Sequence, residues 1–151
     1  MNYIRSAQSD EVDELNRIAF ESEAYWGYDS DFMERFKANY KITAEFIKTN
    51  PTFLLSKEGR IIGFYSLIVE ENEVEFFYIK PQYIGKGYGK IMWNNLLAYS
   101  RSIGIRAITL VTSPQAKAFY EKMGAVQIGE VESILKEGRK IPRMKYEFSE
   151  G

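Results

Sequence analysis

Apolar positions along the chain repeat at two different periods, and the switch between them separates helices from strands. Tyr3 to Ala7 reads as a short strand. Ser9 then has the character of an N-cap, with Asp10 and Glu11 in the first turn, where the helix dipole favours acidic groups. Val12, Leu15, Ile18 and Ala19 follow at helical spacing, which predicts a helix ending near Glu23. Tyr25-Trp26-Gly27-Tyr28 breaks the period as a loop. Ser30 opens a second helix with Phe32, Met33, Phe36 and Tyr40 turned inward, and Thr43 caps a short third one ending near Asn50-Pro51.

The middle of the chain changes to strand patterning. Phe53 to Ser56 and Ile61 to Val69 flank Lys57-Glu58-Gly59-Arg60, a hairpin around a glycine turn. Glu70-Glu71-Asn72 is a second turn, and Glu73 to Lys80 a third strand. Gly87 to Arg101 is helical, with Met92, Leu96 and Tyr99 on one face. Ala107 to Val111 reads as a buried strand. Ser113-Pro114 predicts a helix start with proline at its first position, and Gly124 its end. Val126 to Val131 and Met144 to Phe148 are two final strands. This order predicts an α/β domain with a mixed, mostly antiparallel sheet flanked by helices. No repeat, linker or low-complexity tract interrupts it, so residues 1–151 are expected to form one domain.

Composition narrows the chemistry. The chain has no Cys and no His, so no disulfide framework, thiolate or imidazole metal site, or Ser/His or Cys/His nucleophile pair can be built from it. A net charge of −1 supplies no positive field to draw nucleic acid. Neither a signal peptide nor an apolar run of membrane length is visible, so a cytoplasmic protein without nucleic-acid, membrane or metal partners is expected.

Ile84-Gly85-Lys86-Gly87-Tyr88-Gly89-Lys90 lies between a strand and a helix. Glycines permit positive φ and close approach of backbone N–H groups to an anion, and the following helix adds its N-terminal partial charge. A phosphate or pyrophosphate site is therefore reasonable; a glycine-rich turn without ligand is the competing reading. Lys90 is followed by Ile91, so the run is not a P-loop, and it lacks the third glycine of a dinucleotide fingerprint.

Ile79-Lys80-Pro81-Gln82-Tyr83 continuing through Ile84 to Lys90 resembles the acetyl-CoA loop of the GNAT superfamily of N-acetyltransferases. Ser113-Pro114-Gln115-Ala116-Lys117-Ala118-Phe119-Tyr120-Glu121-Lys122-Met123-Gly124 resembles the second signature of that family, at the expected separation. The resemblance covers nearly the whole chain and implies a GNAT-like sheet of about seven strands, with acetyl-CoA as co-substrate. It implies that Phe77, Tyr78 and Ile79 pair their backbone with the pantetheine arm. Ile84, Gly85, Lys86, Gly87, Tyr88, Gly89 and Lys90 would surround the pyrophosphate. Ser113, Ala116, Phe119 and Tyr120 would line the coenzyme, with Tyr120 near its sulfur. Two positions depart from the pattern: Ile84 stands where the family has Gln or Arg, and Ser113 where it usually has Asn. Three further runs, Ser22 to Asp29, Gly129 to Ser133 and Gly138 to Pro142, are similar to segments of one bacterial branch of the family.

Without His or Cys, the base for amine deprotonation must be a carboxylate, a tyrosine or a water chain. Glu73 and Glu75 are two apart on one predicted strand, so they are expected to face the side that also carries Phe77 and Ile79. Partial desolvation there would raise a carboxyl toward a useful pKa, with Glu75 ranked ahead of Glu73; solvated strand-end charges are the alternative. Tyr120 is the general-acid candidate, against a packed aromatic. Trp26 and Tyr28 either wall the acceptor pocket or anchor the loop in the core. The charges from Lys136 to Lys140 read as a solvated hairpin turn. The function expected is direct acetyl transfer to a primary amine of a small molecule or peptide. A coenzyme A binding or sensing module without catalysis is the alternative, and a homodimer is compatible with either.

Overall fold

The computed structural model describes residues 2–149; Met1, Glu150 and Gly151, at the ends of the expected domain, lie outside the described residues. Strand β1 (Asn2–Ser6) leads through a 3-10 turn into α1 (Val12–Ala24), followed by α2 (Ser30–Asn39) and α3 (Ala44–Thr49). Strands β2 (Thr52–Lys57), β3 (Arg60–Ile68) and β4 (Glu73–Ile79) form a meander. Then come α4 (Tyr88–Ser102), β5 (Ala107–Val111), α5 (Lys117–Lys122), β6 (Val126–Glu132) and β7 (Lys140–Glu147). The strands form one seven-stranded sheet in the order β1-β2-β3-β4-β5-β7-β6. Every neighbouring pair is antiparallel except β4 and β5, which are parallel.

Two apolar layers cover the sheet. Adjacent residues of the central strands point to opposite faces, so Leu55 and Tyr65 join one cluster while Leu54 and Phe64 join the other. The first cluster packs on Met92, Trp93 and Leu96 of α4 and on Tyr120 of α5; the second packs on Leu15, Ile18 and Ala19 of α1 and on Phe32, Met33 and Phe36 of α2. Strand β3 is buried on both faces from Ile62 to Leu67, which explains its unbroken apolar run.

Local chemistry sets most element ends. Asp29 caps α2 by accepting the Phe32 N–H at 2.8 Å, and Thr43 Oγ1 caps α3 by accepting that of Phe46 at 3.1 Å. Glu58 and Gly59 both take positive φ in the β2–β3 hairpin, as a tight two-residue turn requires.

Three boundaries differ from the sequence reading. Ser9 does not cap α1; the carboxylate of Glu11 accepts the Gln8 N–H at 2.8 Å and is itself gripped by Arg5 at 2.7 and 3.0 Å. Helix α5 begins at Lys117, not at Pro114, because Ser113 accepts the Ala116 N–H and closes a separate turn first. Strand β7 starts at Lys140, four residues before the expected Met144. Pro142 is tolerated there because the β5 ladder ends at the Val111–Arg143 pair, so its missing N–H removes no inner rung.

Candidate active site

The glycine loop is shaped by backbone conformations that disfavour side chains. Gly85 and Gly87 have φ of 80° and 90°, and a Cβ at either would meet open space, so conformation rather than crowding requires glycine there. Gly89 answers to crowding instead: a Cβ would lie 2.9 Å from Phe119 Cε1. Among the described residues no backbone carbonyl receives the N–H groups of residues 85–90. Together with the N-terminus of the fifteen-residue α4 they form a concentrated set of free donors.

Next to the loop the sheet forks. Strands β4 and β5 share only two rungs, Glu73–Thr109 and Val74–Leu110, and then separate. The edge of β4 from Phe77 to Ile79 is therefore without a strand partner on the β5 side. A cleft of about 730 Å³ runs through the fork. Ile84, Gly85, Gly87, Gly89 and Lys90 line one end, and Ser113, Ala116, Phe119 and Tyr120 line its middle with Phe77, Tyr78 and Ile79. Lys86 is exposed and is not in the lining. Tyr88 turns away as well: its hydroxyl accepts from Lys57 Nζ at 2.8 Å and its ring meets Tyr83 edge-on.

A β-bulge corrects the expected alternation on β4. Ser66 pairs with Phe76 and Leu67 with Val74, which leaves Glu75 without a partner residue on β3. The side-chain pattern slips by one across it: Val74, Phe77 and Ile79 join one apolar cluster and Phe76 and Tyr78 the other. Glu75 therefore does not share the side of Phe77 and Ile79; its charge acts on Tyr40 and Tyr78. Burial pushes the Glu75 carboxyl up, with Glu73 and Glu71 adding to the effect. Glu73 is differently employed: its Oε1 accepts from Arg143 Nη2 at 2.9 Å and from Thr109 Oγ1 at 2.8 Å.

At the far end of the cleft stands a carboxylate absent from the sequence reading. Burial raises Glu23 from an ordinary value of 4.5 to about 7, with Arg139 pulling the other way. Around it lie tyrosines whose hydroxyls are all pushed up, first by burial: the Glu23 charge adds next for Tyr78 and Tyr120, and for Tyr40 the Glu75 charge adds ahead of that of Glu23. The signal was present in the periodicity. Leu15, Ala19 and Glu23 recur every four residues, so Glu23 extends the buried stripe of α1 by one turn into the cleft.

Tyr120 is buried, its ring held edge-on by Phe77, Trp93 and Phe119 at 5.8, 5.6 and 5.1 Å between centroids. Trp26 borders the cleft and is 38% exposed. Tyr28 is half-buried, stacked on Phe32 at 3.9 Å, and its hydroxyl donates to Gln115 at 2.9 Å. The expected solvated turn from Lys136 to Lys140 holds an exception. Arg139 Nη2 donates to the Tyr28 hydroxyl at 2.9 Å, and the guanidinium lies over the rings of Tyr28 and Phe32. Sequence distance hid this contact, since 111 residues separate the two partners.

A forked β4–β5 pair, a glycine loop and a half-buried carboxylate among tyrosines thus lie along one cleft. The chain belongs to the acetyltransferase (GNAT) family, whose model matches residues 11–125. It is 33% identical over 75 residues to glucosamine 6-phosphate N-acetyltransferase of Trypanosoma brucei brucei, a match spanning 44% of this chain and about half, 51%, of that relative's length. The fold is similar to that of a GCN5-related N-acetyltransferase of Rhodopseudomonas palustris, with a TM-score of 0.83 at 18% identity over 98% of this chain and 96% of that one. It is equally similar to the PaiA N-acetyltransferase of Thermoplasma acidophilum in complex with coenzyme A, with a TM-score of 0.83 at 19% identity over 98% and 99%.

Proposed function

We propose that the chain transfers the acetyl group of acetyl-CoA directly to a primary amine of a small molecule or peptide. The observation that carries this reading is the continuous cleft from the free loop amides to Glu23 and Tyr120. Acetyl-CoA supplies the activated thioester. The N–H groups of residues 85–90, with Lys90 beside them, hold the pyrophosphate, and the unpartnered β4 edge from Phe77 to Ile79 aligns the pantetheine arm. Glu23 takes the proton from the attacking amine, because a carboxyl raised to about 7 is both available and basic near neutral pH. Glu75 acts beside it from the bulge. Glu73 is reassigned from base candidate to a clamp on the fork. Tyr120 gives its proton to the departing sulfur as the C–S bond breaks and the C–N bond forms. With no Cys in the chain, no acyl-cysteine intermediate enters this scheme.

Residues 1–151 act as a single domain in this proposal, and the protein resides in the cytoplasm. No helix among the described residues is long and apolar enough to cross a membrane. The experiment is thiol release from acetyl-CoA with a panel of primary amines, glucosamine 6-phosphate included. Turnover with any of them supports the proposal. Tight acetyl-CoA binding without turnover would make the chain a coenzyme A binding module, and no binding would remove the cleft from acyl transfer altogether.

A further inference from the structure

The acceptor end of the cleft carries a cation that closes no ion pair among the described residues. Arg139 lines the cleft with Glu23, Trp26 and Tyr40. It is held from several sides: Nη2 donates to the Tyr28 hydroxyl at 2.9 Å, Nη1 donates to Ser133 Oγ at 3.3 Å, and the guanidinium lies over the rings of Tyr28 and Phe32 at 5.2 and 5.0 Å. Both hydrogen-bond partners are neutral hydroxyls. None of the ion pairs among the described residues involves Arg139, Glu23 included. A guanidinium has five N–H donors, and these two contacts leave three. The group is half-buried, and although its charge reaches Glu23, no carboxylate closes an ion pair with it among the described residues.

The same end of the cleft carries Glu23 and Glu75. Two kinds of ionisable group therefore face one space from different elements: carboxyls from α1 and β4, and a guanidinium from the turn before β7. A ligand that satisfies both has a cationic end and an anionic end. An ammonium set against Glu23 is also the group that this carboxylate would deprotonate. From this juxtaposition we infer that the acceptor is a primary amine carrying an anionic group, a carboxylate or a phosphate, and that Arg139 is the residue that selects it. The inference rests on the acetyltransferase reading above. A diamine or polyamine does not fit it, because its second ammonium would meet Arg139.

The test uses matched acceptors with the intact chain and acetyl-CoA. Phosphoethanolamine is compared with ethanolamine, glutamate with its diamide, and putrescine serves as the dicationic control. The inference expects the anionic member of at least one pair to be favoured in kcat/KM by roughly ten- to a hundredfold, the range of a charge-assisted hydrogen bond. The phosphate and carboxylate pairs separate the two sources of the anion. Arg139→Gln should bring that ratio toward one, and Arg139→Lys, which keeps the charge, should keep most of it. A purely structural role for Arg139 would instead lower both members of a pair together and leave their ratio unchanged. Thermal melting of both variants checks the fold, and titration of the acceptor into the coenzyme-A-bound protein gives an affinity readout independent of turnover. Equal use of both members of every pair, or preference for putrescine, overturns the inference while leaving acetyl transfer intact. Absence of turnover with every amine overturns the acetyltransferase reading and this inference with it.

Discussion

Arg143 Nη2 donates to Glu73 Oε1 at 2.9 Å at the point where β4 and β5 begin to part, and the same oxygen accepts the Thr109 hydroxyl at 2.8 Å. The two rungs that β4 shares with β5 lie at this clamp. Glu73→Gln is therefore expected to act on stability. Both side chains are partly exposed, so the loss is about 1 kcal/mol, or roughly 2–4 °C in Tm for a chain of this size. The shape of the pH–rate profile should stay as in the parent protein. A vanished inflection with an unchanged Tm would return Glu73 to the proton-transfer chemistry.

Glu23 should report itself twice. If it is the base, turnover rises with pH through about 7, and Glu23→Gln removes that inflection with a loss of roughly 10²–10⁴-fold in rate. Stability carries the opposite sign. In the unfolded chain the carboxyl ionises near 4.5, while in the folded protein burial keeps it neutral to about 7. Its favourable contribution is complete below pH 4.5 and is lost as pH rises through 7, by roughly 3 kcal/mol at most. Glu23→Gln should therefore melt higher than the parent at pH 8, with the gap closing as the pH falls to 4. Denaturant unfolding at both pH values measures it.

Tyr120→Phe keeps the ring among Phe77, Trp93 and Phe119 and removes the proton donor. The hydroxyl stays protonated at neutral pH, since burial pushes it up. Turnover should fall by roughly 10²–10⁴-fold with acetyl-CoA affinity nearly unchanged in calorimetry. A rate within threefold of the parent would deny the hydroxyl a role in the chemistry.

The two loop glycines should fail differently. Gly87→Val forces a β-branched residue to a φ near 90°, a strain of roughly 1–2 kcal/mol or more that the loop relieves by moving its N–H groups, so acetyl-CoA binding should weaken about tenfold in a folded protein. Gly89→Val drives a side chain into Phe119 and should lower stability by about 1–3 kcal/mol. Melting curves beside acetyl-CoA titrations separate the two; equal effects on both variants would contradict this division.

Trp26→Ala should leave Tm almost unchanged. Truncating a buried aromatic costs about 3–5 kcal/mol, but this ring is 38% exposed and rests edge-on against exposed Tyr25. The acceptor KM is expected to rise while acetyl-CoA binding holds. A collapse in melting temperature would place Trp26 among the supports of the fold.

What the linear chain determined by itself was governed by neighbours in sequence. Helical spacing located α1, α2 and α4, the Glu58-Gly59 turn set the β2–β3 hairpin, and Gly85 and Gly87 marked a loop able to present free amides. Each of these depends on φ preferences and side-chain periods within a few residues. The start of β7 escaped because Pro142 signals a break locally, while its place at the end of the β5 ladder makes it harmless. The character of the candidate site was decided only by tertiary contact. One unpaired residue at Glu75 reversed the faces of the strand that follows, a slip that depends on the register against β3 and not on composition. Arg143 of β7 took Glu73 out of the pool of free carboxylates. Burial raised Glu23, and Arg139, 111 residues from Tyr28, came to line the same cleft. Desolvation and charge pairing act through space, so the pKa and the partner of an ionisable side chain are fixed by elements that its own stretch of sequence does not contain.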